Sequence, residues 1–383
     1  MRVVIARTMP NLSMDVYADR LVAGLKVVRP DWEIVEVSPH PLDRSSRSWF
    51  VRLWKFYERF WHYPQKVQQQ KADIFHIIDH SEGHIAQWLQ KTGKPVVVTC
   101  HDLINFFYKE NLEGSVTIPF ISNATWLYSV QEMRKANHIV TVSHNTALDV
   151  TKILGIESDR ITVVPNAVES IFQPLPQKER ELFRQQHQIS PETTCLLNVG
   201  SSHPRKNIST ILKVLVECKG RSLPVHFWKT GSDFNKEQKV FITNHKIESY
   251  ITYLGQPDKQ TLVKIYNAAD ILLAPSTQEG FGMTALEAMA CGTPVITSNV
   301  SAIPEVVGDA GILVEPTDVK AIADAIYHLH SNPIDRKTLI EKGIKRAKTF
   351  TWEATAEQIA VLYEKFAISK QEVSTDKKYQ LSC

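Results

Sequence analysis

The 383-residue sequence has little of what marks membrane-spanning, secreted or nucleic-acid-binding proteins. No apolar run approaches the roughly 20 residues needed to cross a bilayer, and the first residues, MRVVIAR, enter a strand pattern without the apolar core of a signal peptide. The five cysteines are scattered and show no C-x-x-C pair or Cys/His ligand spacing, so we expect reduced thiols. The net charge of +3 is too small to indicate a nucleic-acid partner. We therefore expect a cytoplasmic protein whose membrane contact would be peripheral.

Short strand-like runs alternate with helix-like runs along the chain. This alternation is typical of βαβ units, in which a parallel sheet is covered by helices on both faces. The polar, proline-bearing stretch 174–192 indicates a linker region with a short helix. We therefore predict an α/β protein with two doubly wound, Rossmann-like domains, 1–170 and 171–351, followed by a helix at 352–368 and a disordered tail at 369–383. The predicted strands are 3–6, 34–37, 74–78, 96–99, 139–142, 161–164, 196–199, 225–228, 251–254, 271–274, 295–297 and 312–314.

The segment 276–296, STQEGFGMTALEAMACGTPVI, carries the strongest chemical signal. A glycine-bearing loop runs into a helix that begins near Met283, and such a helix start presents N–H groups and a positive dipole end to an anion such as phosphate. Glu279 and Glu287 lie beside it, and carboxylates there would accept hydrogen bonds from sugar or ribose hydroxyls. The pattern favours a sugar nucleotide. The alternative is an ordinary strand–loop–helix crossover with one capping and one exposed glutamate.

Two further loops follow predicted strands at the carboxyl ends, where parallel sheets bind ligands. The first contains Gly200, Arg205 and Lys206, and two adjacent cations before a helix suit a pyrophosphate; the alternative is a solvent-exposed turn. The second contains His101, with Asp102 either orienting it or capping the next segment. A nearby group of three histidines and an aspartate, between positions 76 and 84, resembles a metal cluster, but strand and turn spacing scatters it, so we do not expect a metal there.

The pattern PS-x-x-EGFG-x-x-x-LEAMA-x-G-x-PV around Glu279 and Glu287 resembles the signature of retaining glycosyltransferases of family 4 (group 1), which have the GT-B fold. The G-x-x-x-PRK-N run at 200–207 and the T-x-HD run ending at Asp102 are also similar to family motifs, whereas Ala167 replaces a usual glycine. The similarity covers about residues 3 to 366. It implies two Rossmann-like domains facing a central cleft, with the C-terminal helix crossing back to the N-terminal domain.

The resemblance also implies a function, which is transfer of a hexose with retained configuration to a hydroxyl acceptor in glycan, polysaccharide or glycolipid synthesis. The sugar, mannose or glucose, would come from a GDP- or UDP-linked donor. The sequence has no D-x-D motif, so neither a metal nor another cofactor is expected. The alternatives are a GT-B fold sugar-nucleotide epimerase and a non-catalytic nucleotide-sugar-binding protein. The catalytic candidates are His101, Arg205, Lys206 and Glu279; the donor-binding candidates are Gly200, Arg205, Lys206, Glu279, Phe281, Gly282, Met283, Thr284 and Glu287; the acceptor-binding candidates are Asn11, Ser13 and Tyr17.

The segment 44–66, RSSRSWFVRLWKFYERFWHYPQK, is rich in tryptophan and basic residues. Its aromatic residues recur at helical spacing over 47–63 and form one wide apolar stripe. A basic amphipathic helix with tryptophans can lie in a membrane interface and attract anionic lipids. The alternative is that the aromatic side chains pack on the sheet and the cations are simply solvated. Partners expected from the sequence are thus a nucleotide sugar, a glycan or lipid-linked acceptor and an anionic membrane surface at the inner face of the membrane.

Overall fold

The structure, a computed structural model, describes residues 1–8, 13–41, 48–107 and 120–380. The chain divides into two compact units. The first comprises Met1–Leu103, Thr117–Asn166 and Trp352–Cys383, and the second comprises Ile104–Val116 and Ala167–Thr351. Each has its own buried apolar core.

The first unit is built on a six-stranded parallel sheet with the order β2-β1-β3-β4-β5-β6. Since the order reverses at β1, the loops after β1 and β3 diverge at the carboxyl edge, which is where such sheets bind ligands. The strands are β1 (Arg2–Ala6), β2 (Glu33–Val37), β3 (Ile74–Ile77), β4 (Val96–Cys100), β5 (His138–Thr141) and β6 (Ile161–Val163). The helices are α1 (Ser13–Val28), α2 (Trp49–Tyr57), α3 (Tyr63–Gln68), α4 (Ile85–Leu89), α5 (Ile104–Phe107, counted with the second unit), α6 (Phe120–Glu132) and α7 (His144–Leu154).

The second unit is built on another six-stranded parallel sheet, ordered β12-β11-β10-β7-β8-β9. Its order reverses between β7 and β10, so the loops that follow these two strands share the switch point. The strands are β7 (Thr194–Gly200), β8 (Val225–Gly231), β9 (Ile251–Tyr253), β10 (Ile271–Ala274), β11 (Val295–Ser298) and β12 (Ile312–Val314). The helices are α8 (Gln177–Gln186), α9 (Ile208–Gly220), α10 (Lys236–Asn244), α11 (Lys259–Ala268), α12 (Met283–Ala290), α13 (Ile303–Val307), α14 (Val319–Ser331) and α15 (Pro333–Ala347).

The last helix, α16 (Trp352–Gln380), belongs to the first unit and packs on α1. Arg29 forms ion pairs with Glu357 at 2.8 Å and Glu364 at 2.7 Å. Gly24 allows the close approach, because a Cβ there would lie 2.7 Å from the Cβ of Ala356. The helix thus packs on the N-terminal Rossmann-like unit, as the resemblance implied.

The end of α16 differs from the sequence-based expectation. Residues 369–380, expected to form a disordered tail, continue the helix. No proline or glycine occurs between Trp352 and Gln380, and the added residues include several good helix formers, so the chain carries no stop signal there. The twelve strands, by contrast, lie at nearly the predicted positions, and the α/β fold class is confirmed.

Candidate functional site

Three of the predicted site residues converge at the switch point of the second sheet. The carboxylate of Glu279, in the loop after β10, accepts from Arg205 Nη1 at Oε2 and from Lys206 Nζ at Oε1, both at 2.6 Å. Glu279 and Lys206 are each only 8% exposed. One buried carboxylate therefore pairs with two cations from the loop after β7, and the trio carries a single net positive charge.

The charge state of Glu279 follows from these neighbours. Burial would raise the pKa of this carboxyl, but the charges of Lys206 and Arg205 outweigh burial and hold the pKa below its usual value. Glu279 is thus ionised at neutral pH. Because all three groups are already charged and positioned, they offer a preorganised electrostatic environment for a ligand that carries negative charge.

Ser301, which follows β11 at the same sheet edge, fixes the loop that carries Glu279. Its hydroxyl accepts from the Glu279 backbone N–H at 3.0 Å and donates to the Glu279 carbonyl at 2.6 Å. Its backbone φ is +60°, an uncommon value for a residue other than glycine. Thr277 N–H also donates to the Arg205 carbonyl at 2.8 Å, which joins the two loops. The sequence analysis did not select Ser301; its position in the loop after a predicted strand was the available signal.

The helix start predicted near Met283 is confirmed, since α12 begins at that residue. Gly282 precedes it with a left-handed φ of +109°, and a Cβ there would lie 2.8 Å from Ile303 Cδ1. Phe281 is buried and packs edge-on against Phe350, with 5.8 Å between ring centroids, so its side chain supports the loop. Met283 and Thr284 lie half-buried in the first turn.

Glu287, one turn further along α12, has a different environment. It is half-buried and accepts a hydrogen bond from the Tyr266 hydroxyl at 2.7 Å. Burial raises the pKa of Glu287 to about 7, while the Tyr266 hydrogen bond opposes the rise. The nearby charges of Glu169 and Lys259, which pair with each other at 2.6 Å, act in opposite directions. Glu287 can therefore exchange a proton near neutral pH.

The carboxyl ends of β7 and β8 are held by a lysine that the sequence analysis missed. Lys229 is fully buried and donates to the carbonyls of Gly200 at 2.6 Å and Thr230 at 2.8 Å. Burial, and then the charge of Lys206, lower the pKa of Lys229 to about 8. Gly231 also packs here: a Cβ on it would lie 2.2 Å from the Gly200 carbonyl oxygen. Hydrogen bonds from Lys229 and close backbone packing at Gly231 therefore hold this edge of the second sheet in place.

The first unit holds the remaining candidates at the edge of its own sheet. His101 follows β4, is 7% exposed, and its Nε2 bonds to the Ile78 carbonyl at 2.9 Å. Its ring meets that of Tyr17 edge-on, with 4.7 Å between centroids. Burial lowers the pKa of His101 and the charge of Asp79 partly offsets this, more than Asp102 does. The predicted catalytic histidine and the predicted acceptor residue Tyr17 are thus in contact.

Two acceptor candidates gain no support. Asn11 lies outside the described residues, and Ser13 begins α1 but its side chain is outside them. The histidines near β3 form no shared site: His76 bonds to Tyr363 and Thr99, whereas His84 bonds to Ser129 and the Arg59 carbonyl. That the first-unit and second-unit groups face one central cleft stays a prediction.

The tryptophan-rich segment forms an exposed surface, which we call the aromatic surface. Its members are Trp49, Phe50, Leu53, Trp54, Phe56, Tyr57 and Trp61. The sheet-packing alternative is wrong for most of its large side chains, since the members of the surface are between 46% and 66% exposed. Arg52 is also exposed, whereas Arg59 pairs with Glu82 at 3.2 Å. Residues 44–47 of the predicted segment lie outside the described residues, and within the described ranges no helix has the length and hydropathy to cross a membrane.

A groove of about 770 Å³ adjoins the aromatic surface within the first unit. Phe56, Phe60 and Trp61 form one wall, and Trp88 and Tyr128 face them. The groove is mainly apolar and shares Phe56 and Trp61 with the aromatic surface, so the two form one continuous apolar region.

Comparisons with known proteins match both units. The family profile described as Glycosyl transferases group 1 matches residues 179–346, and that described as Glycosyltransferase Family 4 matches residues 16–170. A D-inositol 3-phosphate glycosyltransferase of Corynebacterium glutamicum (strain R) is 32% identical over 304 residues, which are 76% of this chain and 72% of that protein. The chain belongs to the group 1 glycosyltransferases.

Two other similarities concern different aspects of this family member. The O-antigen chain mannosyltransferase B of Escherichia coli is 32% identical over 239 residues, 61% of this chain, and the chain spans 62% of the length of that relative, less than two thirds. Sucrose-phosphate synthase from Thermosynechococcus elongatus is similar in structure, with a TM-score of 0.75 at 19% identity, over 96% of this chain and all (100%) of that one. The structural likeness establishes the GT-B fold, and the expectation of two Rossmann-like domains is confirmed.

Proposed function

We propose that this chain is a retaining, metal-independent glycosyltransferase that moves a hexose from a nucleotide diphosphate sugar to a hydroxyl acceptor in glycan, polysaccharide or glycolipid synthesis. The observation that carries the proposal is the Arg205–Glu279–Lys206 trio at the switch point of the second sheet. Family membership supports the reaction class, and the mannosyltransferase relative favours mannose as the sugar, with glucose as the alternative.

The trio suits the electrostatics of this reaction. The transition state develops negative charge on the leaving diphosphate and positive charge on the sugar ring. Arg205 and Lys206 would stabilise the diphosphate, together with the N-terminal end of α12. Glu279 would accept hydrogen bonds from the sugar hydroxyls, and Glu287 would accept from the ribose. Because no carboxylate is assigned as a covalent nucleophile, the leaving phosphate would take the proton of the attacking hydroxyl on the same face of the sugar.

His101 and Tyr17 would line the acceptor side of the reaction. Their rings are in contact and both are nearly buried, so the pair forms a rigid wall. Burial lowers the pKa of His101, which keeps the imidazole neutral at pH 7 and able to act as a hydrogen-bonding group toward a sugar hydroxyl.

The experiment is donor turnover by the full chain with GDP-mannose, UDP-glucose and related donors, measured with and without acceptor sugars. Transfer should require the acceptor; turnover to an isomerised donor without acceptor would indicate an epimerase, and binding without turnover a non-catalytic protein. Glu279→Gln should lower kcat at least 100-fold, since it removes a charged hydrogen-bond acceptor and leaves two cations without their counter-ion. Glu341→Gln, at an exposed acid, is the matched control. Unchanged transfer by Glu279→Gln would refute the assignment.

The aromatic surface favours a second element of function, peripheral binding to an anionic membrane at the inner face. Exposed tryptophans next to Arg52 have the chemistry of the lipid interface, and apolar area and basic charge act together there. Replacing Trp49 and Trp54 by serine should weaken binding to phosphatidylglycerol-containing vesicles at least tenfold, as measured by co-sedimentation. Tyr327→Ser, at a 55% exposed aromatic residue of the second unit, should leave binding unchanged. Equal binding to neutral and anionic vesicles would contradict the proposal.

A further inference from the structure

Two histidines and a glutamate converge beside the aromatic surface. Among the residues that the structure describes, His40, Glu58 and His62 each place a ligand atom within 4.8 Å of those of the other two. Glu58 is fully buried, and its carboxylate accepts from the His40 backbone N–H at 2.9 Å and bonds to His62 Nδ1 at 2.7 Å. The His40 ring is exposed, so the group opens to solvent on that side.

The backbone around these residues is well supported. α2 gives way to a π-helical turn, Glu58–His62, and single π turns inside helices are frequent at functional sites. Directly after this turn, the Tyr63 hydroxyl donates to the carbonyls of Arg7 at 2.5 Å and Val37 at 2.9 Å. The turn is therefore anchored to the ends of β1 and β2, and a site built on anchored elements keeps its geometry.

The spacing of the two rings is within reach of one zinc ion. The imidazoles of His40 and His62 are stacked, 16° from parallel with 5.3 Å between centroids, so the exposed His40 ring would have to turn before both rings direct a nitrogen at the same ion. With Zn–N bonds of about 2.0–2.1 Å and tetrahedral angles, two histidine rings on one zinc ion have centroids roughly 5 Å apart. Two imidazoles with one carboxylate are a common three-residue zinc set, which leaves a fourth position for water.

The buried carboxylate also favours a cation. A buried carboxylate is costly unless it is paired and hydrogen-bonded. The Glu58 carboxylate contacts the His62 ring and the His40 backbone N–H, and a bound Zn²⁺ would supply the charge that compensates the buried carboxylate.

We propose that His40, Glu58 and His62 bind one Zn²⁺ ion in the first unit, with water in the fourth position. The ion would join the segment after β2 to the helical segment that carries the aromatic surface, and it would take no part in sugar transfer. The site is independent of the proposed activity, because none of its ligands belongs to the candidate donor or acceptor groups.

The test is a zinc titration of the chelator-treated full chain against a chromophoric competitor, with thermal unfolding as a second readout. The expected result is one zinc per chain bound more tightly than 1 µM, with a rise in Tm on zinc addition. His40→Ala should lower zinc affinity at least tenfold while retaining the fold, since the side chain is exposed. His62→Ala should do the same, and His245→Ala, at an exposed histidine of the second unit, should bind like the wild type.

Several results would overturn the proposal: no saturable binding at micromolar zinc, or wild-type affinity in both His40→Ala and His62→Ala. Loss of binding in His245→Ala alone would place the zinc elsewhere and would also overturn it. If Glu58→Gln folds, it should weaken binding as well; if it does not, the two histidine variants decide the question. Sugar transfer, where measured, should be unchanged in His40→Ala, which separates this inference from the proposed function.

Discussion

Glu287→Gln should make the protein more stable and bind its donor less well. The pKa of Glu287 is about 7, against 4.5 for the unperturbed group, and burial is the main cause. Between these two values the folded state holds a proton that the unfolded state has lost. The stability of the protein therefore falls as pH rises from about 4.5 to 7, and the full penalty is present above pH 7. Glutamine cannot ionise, so the penalty disappears.

The size of the effect follows from the shift. The folded-state pKa of Glu287 lies about 2.5 above its ordinary value, which corresponds to at most about 3 kcal/mol. Because the side chain is only half-buried, solvent screening reduces this, and we expect about 2 kcal/mol at pH 8. For a unit of this size, that is a rise in Tm of roughly 4 to 8 °C. At pH 4.5 the two proteins should unfold at nearly the same temperature, since Glu287 is then half-protonated in the unfolded state and little of the penalty remains.

The assay is thermal unfolding of both proteins from pH 4.5 to 8, with donor affinity measured by calorimetry at pH 8. The amide oxygen of glutamine can still accept from Tyr266, so packing is retained. Donor affinity should fall about 10- to 100-fold, because a charged acceptor is lost from the proposed ribose contact. A loss of stability in Glu287→Gln at pH 8 would refute the reasoning, since it would show that the ionised carboxylate of Glu287 stabilises the fold. Glu341→Gln should change neither quantity.

Three further predictions test the surroundings of the two units. Gly231→Ala should lower the free energy of unfolding by about 2–4 kcal/mol, as measured in urea, because steric overlap and a positive φ act together. Gly255→Ala should lower it by only about 1–2 kcal/mol, because Gly255 has a φ of +72° but nothing within 4 Å of an added Cβ. Equal losses in the two variants would contradict this prediction. Ser301→Ala should lower kcat more than it changes KM, because Glu279 would be displaced. Steady-state kinetics measure both constants, and an unchanged kcat would contradict the prediction. Burial lowers the pKa of His76 to about 3, so this histidine stays neutral in the folded state, whereas it takes up a proton near pH 6.5 in the unfolded state. The first unit should therefore lose stability as the pH falls from 7 to 4, which hydrogen exchange can measure. His76→Gln should reduce this dependence of stability on pH.

The fold was predictable because its signals are local and periodic. Short apolar runs separated by helical patterns fixed the twelve strands, and the parallel arrangement follows from their spacing. The one clear difference, the helical continuation to Gln380, arose because polarity was taken as disorder where no residue stops the helix. Composition alone does not distinguish a polar helix from a polar tail.

The sequence selected the three residues of the Arg205–Glu279–Lys206 trio, but it could not predict how they pair. Arg205, Lys206 and Glu279 were selected from two loops far apart in sequence, yet the carboxylate–cation contacts depend on the sheet order that brings β7 beside β10. Lys229 was missed because its neighbours read as an ordinary buried strand, and Ser301 because a single serine carries no motif. The exposure of the aromatic surface could not be predicted either, since helical periodicity identifies an apolar face without showing what covers it.

Glu279 and Glu287 show why residue type and spacing leave the chemistry open. Both are glutamates on one loop–helix segment, but two cations hold the pKa of Glu279 low while burial raises that of Glu287 to about 7. Glu279 is a permanent negative charge near neutral pH, because neutralising its carboxylate would lose two ion pairs. Glu287 can be either neutral or charged near pH 7, so it can donate to a hydroxyl as well as accept from one. The affinity for a donor should therefore vary with pH through Glu287 and be insensitive to pH through Glu279, and a donor-binding profile without an inflection near pH 7 would show that the ribose does not reach Glu287.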